Sequence, residues 1–281
     1  MSFGSRSKWL FIALFAISIV VLCGLYYYEI IVPRKPINKF LSEMESRVQI
    51  YKPQHSSEPN SVAIMFHGCG GTFNHQEIWA KHLNDNGYYA VVVDSFKDRE
   101  LDPGRVCAGE SFRGYRRASD VISALSIVKS KLGHLDNIFL IGWSHGAWSA
   151  IEAISYLNDS KVTGGIKDLP ANVSYNDLTG AVLFYPFCRD GFNYNPQNRW
   201  NMSHPPLFIF AENDTTVDNA ACQAFIEKNL QQHNSFTMPD VDHAFDYPEG
   251  LEKYKIFPNP SARDQARDLV LDYLNSASTL N

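Results

Sequence analysis

Ser144 sits at the centre of Gly142-Trp143-Ser144-His145-Gly146 in a chain of 281 residues. Glycines at this spacing suit a strained strand-to-helix turn, which lifts a serine hydroxyl clear while neighbouring backbone passes close by. The context is right, because the apolar run 138–143 precedes the motif and helical periodicity follows at 145–157. A serine hydroxyl becomes a useful nucleophile only when a base takes its proton and an acid orients that base. The chemistry to look for is therefore acyl transfer.

In a turn of this type the acid and then the histidine follow the serine along the chain. Beyond the turn the histidines are His204, His233 and His243. His204 has no strand-end acid upstream and His233 closes a helical pattern. His243, in Pro239-Asp240-Val241-Asp242-His243-Ala244-Phe245, follows the last apolar run. The run 207–211 leads directly into Glu212-Asn213-Asp214-Thr215-Thr216, which makes Asp214 the expected acid. Glu212 is still within the strand, and Asp218 belongs to the first helical turn. Taken alone, Asp214 also reads as a turn or cap residue and His243 as a surface-loop histidine.

His67-Gly68-Cys69-Gly70-Gly71 follows the first apolar strand, and glycines there free backbone N–H groups to meet a carbonyl oxygen. The N–H of His145 with that of Cys69, or alternatively Gly70, forms the expected oxyanion hole. Cys69 itself is disfavoured as nucleophile, since it does not occupy the turn. Neither a Lys-Ser/Thr pair nor a second glycine fingerprint supports phosphate or dinucleotide binding. No CxxC or Cys/His spacing suggests zinc, so no metal and no organic cofactor is expected.

Six apolar runs read as buried strands, at 62–66, 89–93, 138–143, 181–185, 207–211 and 235–238. Helical patterns lie at 75–85, 113–131, 145–157, 217–232 and 262–275. This alternation predicts an α/β fold, a mostly parallel sheet with helices on both faces. The polar stretch 158–178 reads as a surface insertion. Arg113, Arg116 and Arg117 read as a solvated helix face or, alternatively, as a selector of anionic substrates. Trp143 reads as packing under the turn rather than a substrate platform.

The net charge of −5 divides into +4 over residues 1–40 and −9 over the remainder, which gives no basis for nucleic-acid binding. Residues 9–28 carry no charge, and 20 helical residues span about 30 Å, the thickness of a bilayer core. The expected organisation is a short tail at 1–8, a transmembrane signal-anchor helix at 9–28, a tether and lead-in at 29–60, and a catalytic domain at 61–277. A cleaved secretory signal is the alternative. Lys and Arg number two before the span and three after it, so charge leaves the orientation open. Cys69, Cys107, Cys188 and Cys222 form an even set that permits three disulfide pairings or four free thiols.

On the 67–71 glycine loop, Val93-Asp94-Ser95-Phe96, the 142–146 turn, Asp214 and His243, the chain resembles the α/β-hydrolases and, more narrowly, the dienelactone hydrolase family over about residues 60–275. Dienelactone hydrolase itself carries a cysteine nucleophile, where Ser144 stands here. The resemblance implies hydrolysis of an ester, lactone or related acyl bond of a small molecule through an acyl-enzyme. In the strand order it implies, the loops after the first two strands are neighbours, as are those after the fourth and fifth. That suggests Cys69–Cys107 and Cys188–Cys222 pairs, and a catalytic domain on the periplasmic or extracellular side. A peptidase or acyltransferase on the same fold, and a membrane-tethered binding module with a vestigial site, are the competing readings.

Overall fold

The structure is a computed structural model that describes residues 5–27, 33–54, 60–188, 197–250 and 257–278. Six strands run parallel: β2 (Ser61–Phe66), β3 (Tyr89–Val93), β4 (Asn137–Trp143), β5 (Gly180–Phe184), β6 (Leu207–Ala211) and β7 (Asn234–Met238). A short β1 (Val48–Tyr51) adds antiparallel to β3, giving the order β1-β3-β2-β4-β5-β6-β7. Each predicted strand is present. β1 extends the sheet upstream of residue 61, within the expected lead-in to the body.

Alternate residues of the central strands serve different faces. Val62, Ile64 and Phe66 pack with α2 (Ile37–Met44), α5 (Gly114–Leu132), α6 (His145–Asn158) and α7 (Asn219–Asn229). Ala63 and Met65 pack with α3 (Asn74–Asp85) and α8 (Pro260–Ser278) on the other side. Both faces being covered explains why the strands are uninterrupted apolar runs. α7 is shorter than its predicted span because Asp218 caps its start, accepting the Ala220 N–H at 2.9 Å. α4 (Pro103–Cys107) is a short helix capped by Asp102.

The stretch 158–178 is not a surface insertion throughout. Thr163 and Ile166 are fully buried, and Ile166 bridges to Lys35. The Gly165 N–H donates to Ser119 Oγ at 3.0 Å, drawing the segment onto α5.

The chain passes from β2 outward to β3 and then back across β2 to β4, so the order reverses there. In a sheet of this kind a crevice opens beyond the strand ends at the reversal. Phe66 lies in register with Gly142, which brings the 67–71 loop beside the serine turn.

A helix, α1 (Ser5–Tyr27), occupies the predicted anchor segment, with Trp9, Phe11, Phe15 and Val20 among its exposed side chains. Among the described residues no helix is long and apolar enough to cross a membrane. Tyr28, the end of the predicted span, lies outside the described residues.

Candidate active site

β4 ends at Trp143, and Ser144 takes φ 52° and ψ −114°, a strained conformation for a residue with a side chain. The two glycines have concrete reasons. A Cβ on Gly142 would lie 2.6 Å from the Ala147 backbone, and one on Gly146 would lie 2.6 Å from His67 O and closer still to Phe66 O. The turn is held by the Ser144 N–H donating to Phe184 O at 2.9 Å and by the Ser144 carbonyl accepting from the Trp148 N–H at 3.0 Å.

Asp214 and His243 come to this turn from the loops after β6 and β7. His243 Nε2 lies 3.0 Å from Ser144 Oγ, and its Nδ1 lies 2.8 Å from Asp214 Oδ2. Asp214 Oδ1 accepts the N–H groups of Thr216 and Val217, each at 2.9 Å. One oxygen thus serves the turn while the other faces the imidazole. A carboxylate only accepts, so Nδ1 carries the proton and Nε2 is left to accept from the serine hydroxyl. Asp242, passed over in the sequence, ties the two loops together by accepting the N–H of Thr215 at 2.8 Å and that of His243 at 2.7 Å.

His67 is fully buried, and its Nε2 accepts the Ser95 N–H at 3.1 Å. Its Nδ1 must then carry the proton, which it donates to Gly68 O at 2.6 Å. The peptide is trans, so the Cys69 N–H points away from that buried ring. Gly68, Cys69 and Gly70 all line the cavity in front of Ser144. His145 supplies the first amide of α6, one of the N–H groups that a helix leaves without an internal acceptor. Disulfides join Cys69 to Cys107 and Cys188 to Cys222, the pairing that the resemblance implies.

The cavity holds about 150 Å³, and its walls include Phe73, Trp143, Tyr185, Phe187 and Tyr247. Among the described residues no Lys, Arg, Asp or Glu lines it. The three arginines do not serve it: the Arg113 side chain donates to Gly109 O, Arg116 lines a separate cavity beside Arg99, and Arg117 is fully buried. The solvated-face and anion-selector readings therefore both fail for Arg117. Trp143 is buried and lines the cavity as well as packing beneath the turn.

Two buried polar centres flank the turn, and neither was singled out for this position from sequence. Arg117 donates to Ser95 Oγ at 3.0 Å, His67 O at 2.8 Å and His145 Nδ1 at 3.2 Å. Burial pushes its pKa down to about 9, which leaves it a cation at neutral pH. Burial, reinforced by this cation, holds His67 and His145 well below the usual histidine range, so both rings are neutral. On the other side, Asp246 accepts from His75 at 2.8 Å, Trp79 at 3.0 Å, Trp143 at 2.9 Å and Tyr185 at 2.5 Å. Burial opposes its ionisation, yet His75 and the hydroxyl and indole donors hold its carboxyl below the ordinary value. Burial, then the neighbouring Asp246, pushes the Tyr185 phenol well up. Among the described residues no group of three or more His, Cys, Asp or Glu could hold a metal ion.

The doubly covered parallel sheet, with a strained serine turn at its order reversal, is an α/β-hydrolase-like fold. Solved structures of low identity share it. Thermogutta terrifontis esterase 2 matches with TM-score 0.59 and 16% identity, over 82% of this chain and 88% of that one. A dienelactone hydrolase-like promiscuous phosphotriesterase from metagenomic libraries matches with TM-score 0.63 and 13% identity, over 82% and 92%. In sequence, a carboxymethylenebutenolidase homolog from Xenopus tropicalis is 23% identical over 241 residues, 82% of this chain and 86% of the relative. Residues 47–278 match the dienelactone hydrolase family, and the chain belongs to that family. It is a hydrolase acting on ester bonds.

Proposed function

We propose that the protein is a serine hydrolase that cleaves uncharged esters through an acyl-enzyme on Ser144. The hydrogen-bonded series from Asp214 through His243 to Ser144, at 2.8 and 3.0 Å, carries this reading. His243 takes the Ser144 proton as Oγ attacks the acyl carbon, then returns it to the leaving alcohol; water reverses the sequence and frees the acid. Asp214 holds the ring in the productive tautomer and stabilises the imidazolium. The N–H groups of Cys69 and His145 receive the oxyanion, and a single such donor is worth about 3–4 kcal/mol in the transition state.

The small aromatic cavity supports compact apolar groups beside the scissile carbonyl, because a carboxylate there would lose water and find no cation among the described residues. A fluorophosphonate probe is expected to label Ser144, and p-nitrophenyl acetate to give a product burst. An unlabelled protein, or a Ser144→Ala variant with full activity, overturns the assignment.

Residues 9–28 are proposed as a membrane anchor with the hydrolase body on the non-cytoplasmic side. Support comes from the uncharged stretch, its exposed apolar side chains in α1 and the two disulfides, which persist in oxidising compartments. The full chain is expected to stay with membranes through alkaline carbonate washing. Release by carbonate, or a mature chain lacking these residues, refutes the anchor.

A further inference from the structure

Ser144 has a buried charge centre attached to each neighbour. Trp143, before it, donates its indole N–H to Asp246 at 2.9 Å. His145, after it, accepts from Arg117 at 3.2 Å. Both centres reach further into the site. Asp246 also holds Tyr185, whose ring centre lies 4.5 Å from that of His243. Arg117 also holds the carbonyl of His67, at the root of the loop that carries Cys69.

We propose that Asp246 and Arg117 are positioning residues that clamp the serine turn from both sides and set a fixed field along the charge separation of the reaction. This rests on the serine-hydrolase reading above. The anion lies on the side where His243 becomes positive, and the cation on the side where the oxyanion forms. Charges already in place need no reorganisation at the moment of reaction, and a buried pair is little screened.

Asp120, one turn from Arg117, is held in a two-pronged ion pair by Arg99 at 2.6 and 2.8 Å. Arg117 Nη2 meets no protein acceptor among the described residues. At the other centre, Gln76 Oε1 accepts the Phe73 N–H at 3.0 Å, so its amide nitrogen donates to His75 Nδ1 at 2.9 Å. His75 therefore meets the Gln76 amide at Nδ1 and turns its Nε2 to Asp246 at 2.8 Å. Four donors converge on that carboxylate, from His75, Trp79, Trp143 and Tyr185.

The experiment compares Asp246→Asn, Arg117→Gln and Arg117→Lys with the unsubstituted full chain, using p-nitrophenyl acetate and measuring kcat, KM and the kcat/KM–pH profile. Each neutral variant is expected to lose about 10- to 100-fold in kcat while KM changes about 3-fold or less, as for interactions realised in the transition state. The acidic limb, which reports protonation of the base, moves in opposite directions. Without the anion the imidazolium is less favoured, so Asp246→Asn moves the limb to lower pH. Without the cation it is more favoured, so Arg117→Gln moves it to higher pH, each by roughly half a unit. Arg117→Lys keeps the charge and leaves the limb in place.

Among the described residues, Asp214, Asp242, Tyr185 and Ser144 face His243, and no variant alters them. Arg267 and Tyr247 beside Asp246, and Asp120, Arg99 and Asp94 beside Arg117, are likewise retained. A purely structural role would lower activity without opposite shifts, so unmoved limbs, or limbs moving together, overturn the proposal. If Asp246→Asn does not fold, the Arg117 variants decide it: a limb raised in Arg117→Gln and unmoved in Arg117→Lys supports the field, and one unmoved in Arg117→Gln, or moved equally in both, overturns it. Fluorophosphonate labelling of the unsubstituted chain separates the two failures. Absence of label defeats the serine-hydrolase reading itself, whereas a labelled protein with unmoved limbs defeats only the field.

Discussion

Asp214 divides its two oxygens between backbone and imidazole, and this makes an amide substitution informative. Asn can keep its carbonyl on the Thr216 and Val217 N–H groups while turning its NH₂ toward His243. The ring must then accept at Nδ1 and carry its proton on Nε2, where it faces a hydroxyl it can no longer deprotonate. Asp214→Asn is expected to lower kcat about 10⁴-fold with the loop intact, a loss seen when a triad histidine is held in the wrong tautomer. Steady-state kinetics with circular dichroism as a fold control checks this, and near-normal turnover would remove Asp214 from the mechanism. That Asp214 and His243 meet at Ser144 was legible, because motif and chain order restrict the choice. Arg117 was not, because Arg116-Arg117 reads as a polar helix face. A signal was available, since Arg117 shares the helical stripe of Val121, Ala124 and Val128. Asp246 lies only three residues beyond His243, but nothing in the chain foretells that Trp79, Trp143 and Tyr185 converge on it.

Among the elements, the strands were the most readable, because a sheet covered on both faces leaves uninterrupted apolar runs. β1 was not, since four residues, Val48–Tyr51, suffice to pair antiparallel at an edge and carry no such run. The two disulfides act on different elements and should separate by phenotype. Cys188–Cys222 fastens the loop after β5 to α7 at a sequence separation of 34, and Cys69–Cys107 fastens the candidate oxyanion loop to α4 at a separation of 38. Loops of this size give about 3–4 kcal/mol of stability on the chain-entropy account. Replacing either pair by alanines is expected to cost roughly that much in denaturant unfolding. In conditions where both variants remain folded, the Cys69/Cys107 variant should also lose kcat, because the Cys69 N–H is no longer held in place. Equal kcat in the two variants would show that the loop keeps its shape without its disulfide.

At the scale of the whole molecule, burying the site's polar framework ties stability to pH. His67 and His145 are both neutral in the fold because burial, with Arg117 nearby, holds each well below the ordinary histidine value. An unfolded chain takes up protons at these rings as pH falls below about 6.5, while the folded chain does not. Folding stability is therefore fully present above that pH and declines below it, until the folded-state values are reached. Each ring approaches a slope of about 1.4 kcal/mol per pH unit once the unfolded chain is fully protonated, so the pair gives roughly 2 kcal/mol between pH 6.5 and 5.5. Asp246, whose folded value is depressed, adds its own loss only below about pH 4. Urea unfolding at pH 7.5, 6.5 and 5.5 should show a nearly flat upper interval and a steep lower one. His145→Gln should reduce the lower slope, since it removes one of the two fully buried rings that stay uncharged. A midpoint unchanged from pH 7.5 to 5.5 would mean that the rings accept protons without unfolding. The neutral framework around Arg117 would then not be what holds the loop and the turn together.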